Sequence, residues 1–174
     1  MNSAIDRLAD FLVSIIDLCK VGVIVDQYER GVILRWGKLQ RLLLPGFHWH
    51  WPLGVDQVLT DNVVPTTDSL DPQSLTTKDG LSIVLSGIVT WQIDDIEKVL
   101  LQVEDADGVL TDTACGVIAR AVAQSTWQQI TDPTFPDRLT RRVQTLAAKY
   151  GIGVLRVQIS DLSRSRSLRL WQSE

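Results

Sequence analysis

Lys78-Asp79-Gly80-Leu81-Ser82-Ile83-Val84-Leu85-Ser86-Gly87-Ile88-Val89-Thr90-Trp91-Gln92-Ile93 is the stretch on which the fold turns. Lys-Asp-Gly supplies a turn, and after it Leu81, Ile83, Leu85, Val89, Trp91 and Ile93 alternate with Ser82, Ser86, Thr90 and Gln92. A period of two puts the apolar set on one face of a strand and the polar set on the other. Beyond Trp91 the apolar period lengthens to about 3.6, so strand gives way to helix. Asp94 and Asp95 can cap a short helix running through Gln102. Asp105 and Asp107 start a longer one that buries Val109, Leu110, Ala114, Val117, Ile118, Ala121 and Ser125. A third helix begins near Pro136, after the Asp132-Pro133 break, and runs to Tyr150 with Leu139, Val143, Leu146 and Ala147 inward. Gly151 stops it, and Ile152 to Ile159 reads as a last strand that returns to the earlier sheet. The class is α+β.

Upstream, Val21 to Val25 and Gly31 to Trp36 read as two short strands forming a hairpin. Leu42-Leu43-Leu44-Pro45-Gly46-Phe47-His48-Trp49-His50-Trp51-Pro52 follows, with a Pro-Gly turn inside it. In extended conformation Phe47, Trp49 and Trp51 share one face and His48 and His50 the other. Val55 to Thr77 reads as two short strands broken by Pro65 and by Asp71-Pro72.

The chain begins with a different kind of segment. Ala4 to Val25 holds the longest apolar material, yet Asp6, Arg7, Asp10, Asp17 and Lys20 interrupt it, too many charges for a bilayer-spanning helix. It lacks the basic start and small-residue cleavage site of a secretory signal. Wound as a helix, Ser3, Asp6, Arg7, Asp10, Ser14 and Asp17 fall on one side. Ile5, Leu8, Leu12, Ile15, Ile16 and Cys19 fall on the other, with Phe11 and Leu18 at its edge. Such an amphipathic helix suits a membrane interface, but periodicity alone favours packing on the protein's own core or on a sister subunit, and the acidic polar face counts against attraction to anionic lipid.

Composition narrows the possibilities. In 174 residues, 45% are apolar and 22% charged, the balance of a folded domain able to bury a core without staples. A net charge of -4 argues against a surface that tracks phosphate backbones, so no nucleic-acid partner is expected. Cys19 and Cys115 suggest no disulfide framework and point to a reducing compartment such as the cytoplasm.

Catalytic patterns are missing. Gly31 and Gly37-Lys38 bracket five residues where a phosphate-binding loop has four, and Leu39 stands where a Ser or Thr would hold magnesium. There is no Gly-x-Ser-x-Gly elbow. His48 and His50 have a spacing that metals use, but no further ligands are marked by spacing, and histidines at a strand edge are the simpler reading. Glu104-Asp105-Ala106-Asp107 suits a helix start better than a cation site. Arg164, Arg166 and Arg169 among serines make a short basic tail rather than a nucleic-acid surface. No catalytic residue, cofactor or metal is expected.

A resemblance sharpens this outline. Tyr28-Glu29-Arg30-Gly31-Val32-Ile33-Leu34-Arg35-Trp36-Gly37-Lys38 looks like the opening signature of SPFH (band 7) domains, the stomatin, prohibitin, flotillin and bacterial protease-modulator type. Pro45-Gly46-Phe47-His48-Trp49-His50-Trp51-Pro52 is similar to that family's Pro-Gly-Leu-His segment. Thr77-Lys78-Asp79-Gly80, Ala119-Arg120, and Tyr150-Gly151-Ile152 leading to Val157-Gln158-Ile159-Ser160-Asp161-Leu162 follow in order. The resemblance implies an antiparallel-rich twisted sheet with helices packed on one side, preceded by the amphipathic helix, in a non-enzymatic, membrane-bound scaffold that self-assembles into rings or cages and organises lipids, channels or membrane proteases. It divides the chain into an amphipathic membrane-proximal helix (1–20), an SPFH domain (21–162) and a basic tail (163–174). It implies membrane contact through Ile5, Leu8, Phe11, Leu12, Ile15, Ile16, Leu43, Phe47, Trp49 and Trp51. The family's long charged coiled coil is not part of these 174 residues, so assembly is expected either to rest on the domain and its tail or to be weaker, and attachment to be monotopic or peripheral. The competing expectation is a soluble oligomeric adaptor whose N-terminal helix grips a partner protein or a sister subunit.

Overall fold

The structure, a computed structural model, describes residues 22–165. The N-terminal helix expected over 1–20 and the tail arginines Arg166 and Arg169 lie outside the described residues. The chain divides into two compact units, one ending at Val64 and one beginning at Pro65.

Among the described residues the first unit contains five strands: β1 (Gly22–Val25), β2 (Glu29–Arg35), β3 (Lys38–Leu43), β4 (Gly46–Trp49) and β5 (Asp56–Asn62). β2 lies between β3 and β5, antiparallel to both. The hairpin expected between β1 and β2 does not form. A two-residue turn, Trp36-Gly37, folds β3 back onto one edge of β2, and β5 takes the other, so β1 finds no free edge there. It pairs instead with β4 across the register Gly22↔Trp49 to Val25↔Gly46. Burial rewards this choice: Val25 joins Ile33 and Leu43 in a small core, with Val23 and Val58 packed against it.

The second unit is a three-stranded antiparallel sheet in the order β6 (Thr66–Thr76), β7 (Ser82–Ile93), β8 (Ile152–Arg164). β7 is the stretch that the alternation marked: Ile83, Leu85, Val89, Trp91 and Ile93 are buried. Asp71-Pro72 does not break β6. The pairing steps from Leu70↔Gly87 to Gln73↔Leu85, so the two residues form a bulge. β6 is an edge strand, and proline's missing N–H costs nothing on the side facing away from β7. β8 is longer than expected because it follows β7 from Ile93↔Ile152 to Ile83↔Arg164.

Four α-helices accompany this sheet among the described residues, and the two longest pack against its strands. α1 (Ile96–Gln102) is capped by Asp95, which accepts from the Lys98 N–H. α2 (Ala106–Ala123) is capped by Asp105, which accepts from the Gly108 N–H at 2.9 Å, and buries Leu110, Ala114, Val117, Ile118 and Ala121. α3 (Trp127–Ile130) was not expected; its four residues are too few for a period, but Thr126 and Gln129 form a capping box around them. α4 (Phe135–Ala147) carries Pro136 in its first turn and buries Leu139, Val143 and Ala147. Leu146, expected inward, is exposed: it lies about 60° round the helix from Val143, at the margin of the buried stripe. The Thr140 hydroxyl donates to the Pro136 carbonyl and accepts from the Val157 N–H at 2.9 Å, tying α4 to β8. Gly151 closes the helical run at φ +84, a conformation that a side chain would strain.

Candidate functional site

Eleven of the fifteen large apolar side chains exposed among the described residues belong to the first unit. Strand geometry accounts for part of this concentration. In the β1–β4 ribbon Val23 and Val25 turn to the small core. Ile24 and its cross-strand partner Phe47 turn outward, and so does Trp49, two residues along from Phe47. Gly22 stands opposite Trp49, and a Cβ on it would run into the Phe47 ring. The absence of a side chain at residue 22 therefore lets Phe47 lie across the ribbon.

Turns account for the rest. Trp36-Gly37 joins β2 to β3, and Leu53-Gly54 forms a second turn, closed by the Val55 N–H on the Pro52 carbonyl. Trp36 has φ +51 and Leu53 φ +66, and both side chains are exposed. A left-handed backbone is costly for a large L residue, and such strain gathers at functional positions. The Trp36 N–H donates to the Val55 carbonyl, so the two turns are neighbours.

An ion pair fixes this end of the unit. Asp56, its side chain 1% exposed, accepts from Arg35 through Nε at 2.8 Å and Nη2 at 3.1 Å, and from the Trp51 N–H at 2.8 Å. Foremost the Arg35 bond, then the Trp51 N–H, lowers the Asp56 carboxyl to a pKa of about 2. The loop bearing the exposed Trp51 is thus held by a carboxylate that stays ionised at any ordinary pH.

The residues expected at a membrane are distributed as follows. Phe47, Trp49 and Trp51 are exposed, although β4 ends at Trp49 and Trp51 belongs to the following loop. Leu43 is a correction: it is 0% exposed, paired with Gly31 and packed in the core with Val25 and Ile33. Its neighbour Leu44 is 62% exposed, because successive side chains leave an extended chain on opposite faces. Ile5, Leu8, Phe11, Leu12, Ile15 and Ile16 lie outside the described residues. Ile24, Trp36 and Leu53 escaped the sequence reading. Their only signal was an apolar residue before glycine at two tight turns, and, for Ile24, its place between inward-facing Val23 and Val25.

The other candidate chemistries resolve into local structure. A His48 ring nitrogen donates to the Leu44 carbonyl, and His50 Nδ1 to that of Trp51. Asp105 is a helix cap. Arg164 lies 4.1 Å over the Trp127 ring. Cys115 is a free thiol whose pKa is raised by burial. No group of three or more metal-type ligands occurs among the described residues, and no helix there is long and apolar enough to cross a membrane.

Comparison with known proteins adds the family. Residues 23–169 match the model of the SPFH domain / Band 7 family. An uncharacterized protein of Methanocaldococcus jannaschii is 22% identical over 160 residues, covering 91% of this chain and 80% of that one. Protein HflK of Haemophilus influenzae is 33% identical over 93 residues, 52% of this chain and 22% of HflK. Stomatin-like protein 3 of mouse is 25% identical over 145 residues, 80% of this chain and 50% of the mouse protein. The alignment thus spans half or less of the two relatives with functional names. The match to the family model extends over most of the chain, and the chain belongs to the SPFH domain / band 7 family.

Proposed function

We propose that the protein is a non-catalytic scaffold that lies on a membrane surface, assembles with copies of itself and organises a membrane-protein client such as a protease or channel. The observation that carries this reading is the apolar surface of the first unit, where Ile24, Phe47, Trp49, Trp36 and Leu53 stand exposed on a ribbon and two strained turns. Aromatic rings at a half-wet boundary are the composition of a membrane interface. The register supports the same placement: Gly22 pairs with Trp49, and the apolar Ile5, Leu8, Phe11, Leu12, Ile15 and Ile16 precede Gly22 in the sequence. Membrane contact is assigned to those six residues with Phe47, Trp49 and Trp51, and Leu43 is withdrawn. The free Cys115 suits a reducing compartment.

Liposome flotation tests this with the full chain, a chain starting at Val21, and the double variant Phe47→Glu/Trp49→Glu, each also sized in solution. The full chain is expected to float and both altered chains to remain below. If all three stay in solution and the two chains that keep the N-terminal segment form a large particle while the shortened chain does not, that segment joins proteins rather than lipid, and the soluble adaptor replaces the scaffold.

A further inference from the structure

α2 and α4 pack side by side in the second unit, and their outward faces leave a groove of about 530 Å³. The exposed Leu146 and the edge of Val117, which is only 8% exposed, give it an apolar floor, and Arg120, Arg141 and Arg142 line it. It continues into a second hollow, lined by Arg120 and Leu146 again, with Lys149 and the exposed ring of Tyr150. Spacing produces this surface: Val117, Arg120 and Gln124 recur on one side of α2 as Arg142 and Leu146 do on α4, and Lys149 follows in the 3-10 turn Ala148–Tyr150.

The charge of the groove is the informative feature. In a chain of net charge -4, four cations surround one apolar strip. None of the four forms an ion pair with a described residue; the ion pairs there are Arg35–Asp56 and Lys98–Asp95. A single carboxylate, Asp112, stands in the second hollow. A small anion would satisfy the arginines and leave the apolar strip wet. A neutral apolar helix would cover the strip but strip water from four unpaired cations, which is costly. From Arg141 through the end of α4 to Tyr150 in the 3-10 turn after it, this wall of the groove is about 15 Å long.

We infer that this groove is a docking site for an acidic amphipathic helix of a partner protein, its apolar residues on Val117 and Leu146 and its carboxylates on Arg120, Arg141, Arg142 and Lys149. This is helix-in-groove recognition with charge setting the choice of partner. The site lies wholly in the second unit and does not depend on the membrane reading.

The test uses the full chain and two labelled synthetic helical peptides with the same leucine face, one with glutamates and one with lysines on the opposite face. Binding is followed by fluorescence anisotropy, and anionic phosphatidylserine vesicles are run alongside. The glutamate peptide is expected to bind and the lysine peptide not. Arg120→Glu/Arg142→Glu is expected to weaken glutamate-peptide binding by about tenfold or more, with an unchanged melting temperature and with gain of lysine-peptide binding. Leu146→Asp is expected to weaken both variants' preferred peptide. Equal binding of the two peptides, or glutamate-peptide binding indifferent to the arginine reversal, overturns the proposal. So does vesicle binding that is lost with the same arginines while neither peptide binds, which assigns the groove to a lipid surface.

Discussion

A side chain on Gly87 would begin 2.6 Å from the carbonyl oxygen of Gln158 on the neighbouring strand. β7 and β8 shift register at this point, between Ser86 and Gly87, and the close approach is one of backbone to backbone. Gly87→Ala therefore meets backbone rather than a flexible side chain and must spread β7 from β8. Chemical denaturation is expected to show a loss of about 1–3 kcal/mol or more. Gly116 gives the opposite expectation, since no atom lies within 4 Å of its Cβ position in the middle of α2. Gly116→Ala should stabilise by about 0.5–1 kcal/mol through helix propensity alone.

Asp56 supplies a pH dependence of known sign. Its carboxyl is lowered from 3.8 to about 2 in the folded protein, so the folded state binds this proton less readily than the unfolded chain does. The contribution is complete above 3.8 and is lost as the pH falls through about 2. Urea midpoints of the natural protein and Asp56→Asn should differ most at neutral pH, with Asp56→Asn less stable, and converge in strong acid. Because Asp56 also holds the Trp51 N–H, the same variant should change Trp51 fluorescence at neutral pH.

Leu43 and Leu44 separate packing from surface chemistry. Leu43→Ala empties part of the core formed with Val25 and Ile33, and is expected to cost about 2–5 kcal/mol. Leu44→Ala removes an exposed side chain and should change stability by less than about 0.5 kcal/mol. Equal losses measured by denaturant titration would contradict the register in which Leu43 faces Gly31.

What was legible in the sequence follows the same division. β7 declared itself because one of its faces is buried along its whole length, so alternation reports burial directly. The caps of α1 and α2 were legible because an aspartate before an apolar period serves the helix end from within four residues. β1 was misassigned because strand pairing is decided by competition for edges, and Trp36-Gly37 gave β3 the edge that proximity alone would give to β1. In Leu42-Leu43-Leu44 three identical residues carry no alternation, so which one turns inward depends on a register set by Gly31, eleven or more residues away. The basic groove stayed hidden because its arginines come from helices far apart in the chain. Leu146 read as core because its angular position sits at the limit of the buried stripe.

The pairing of Gly22 with Trp49 also fixes how the first unit bears a load. Any tension arriving along the chain ahead of Gly22 meets the β1–β4 ladder at the end where β4 leaves it, with the following loop held to Asp56. The ladder then opens from that end one residue pair at a time, like a zipper, and never shares the force across all of its bonds. It is only four residue pairs long. Under pull β1 is the strand that peels away, while β2, clasped on both edges by β3 and β5, stays in place; the unit carries its own tear strip at the point where the chain enters.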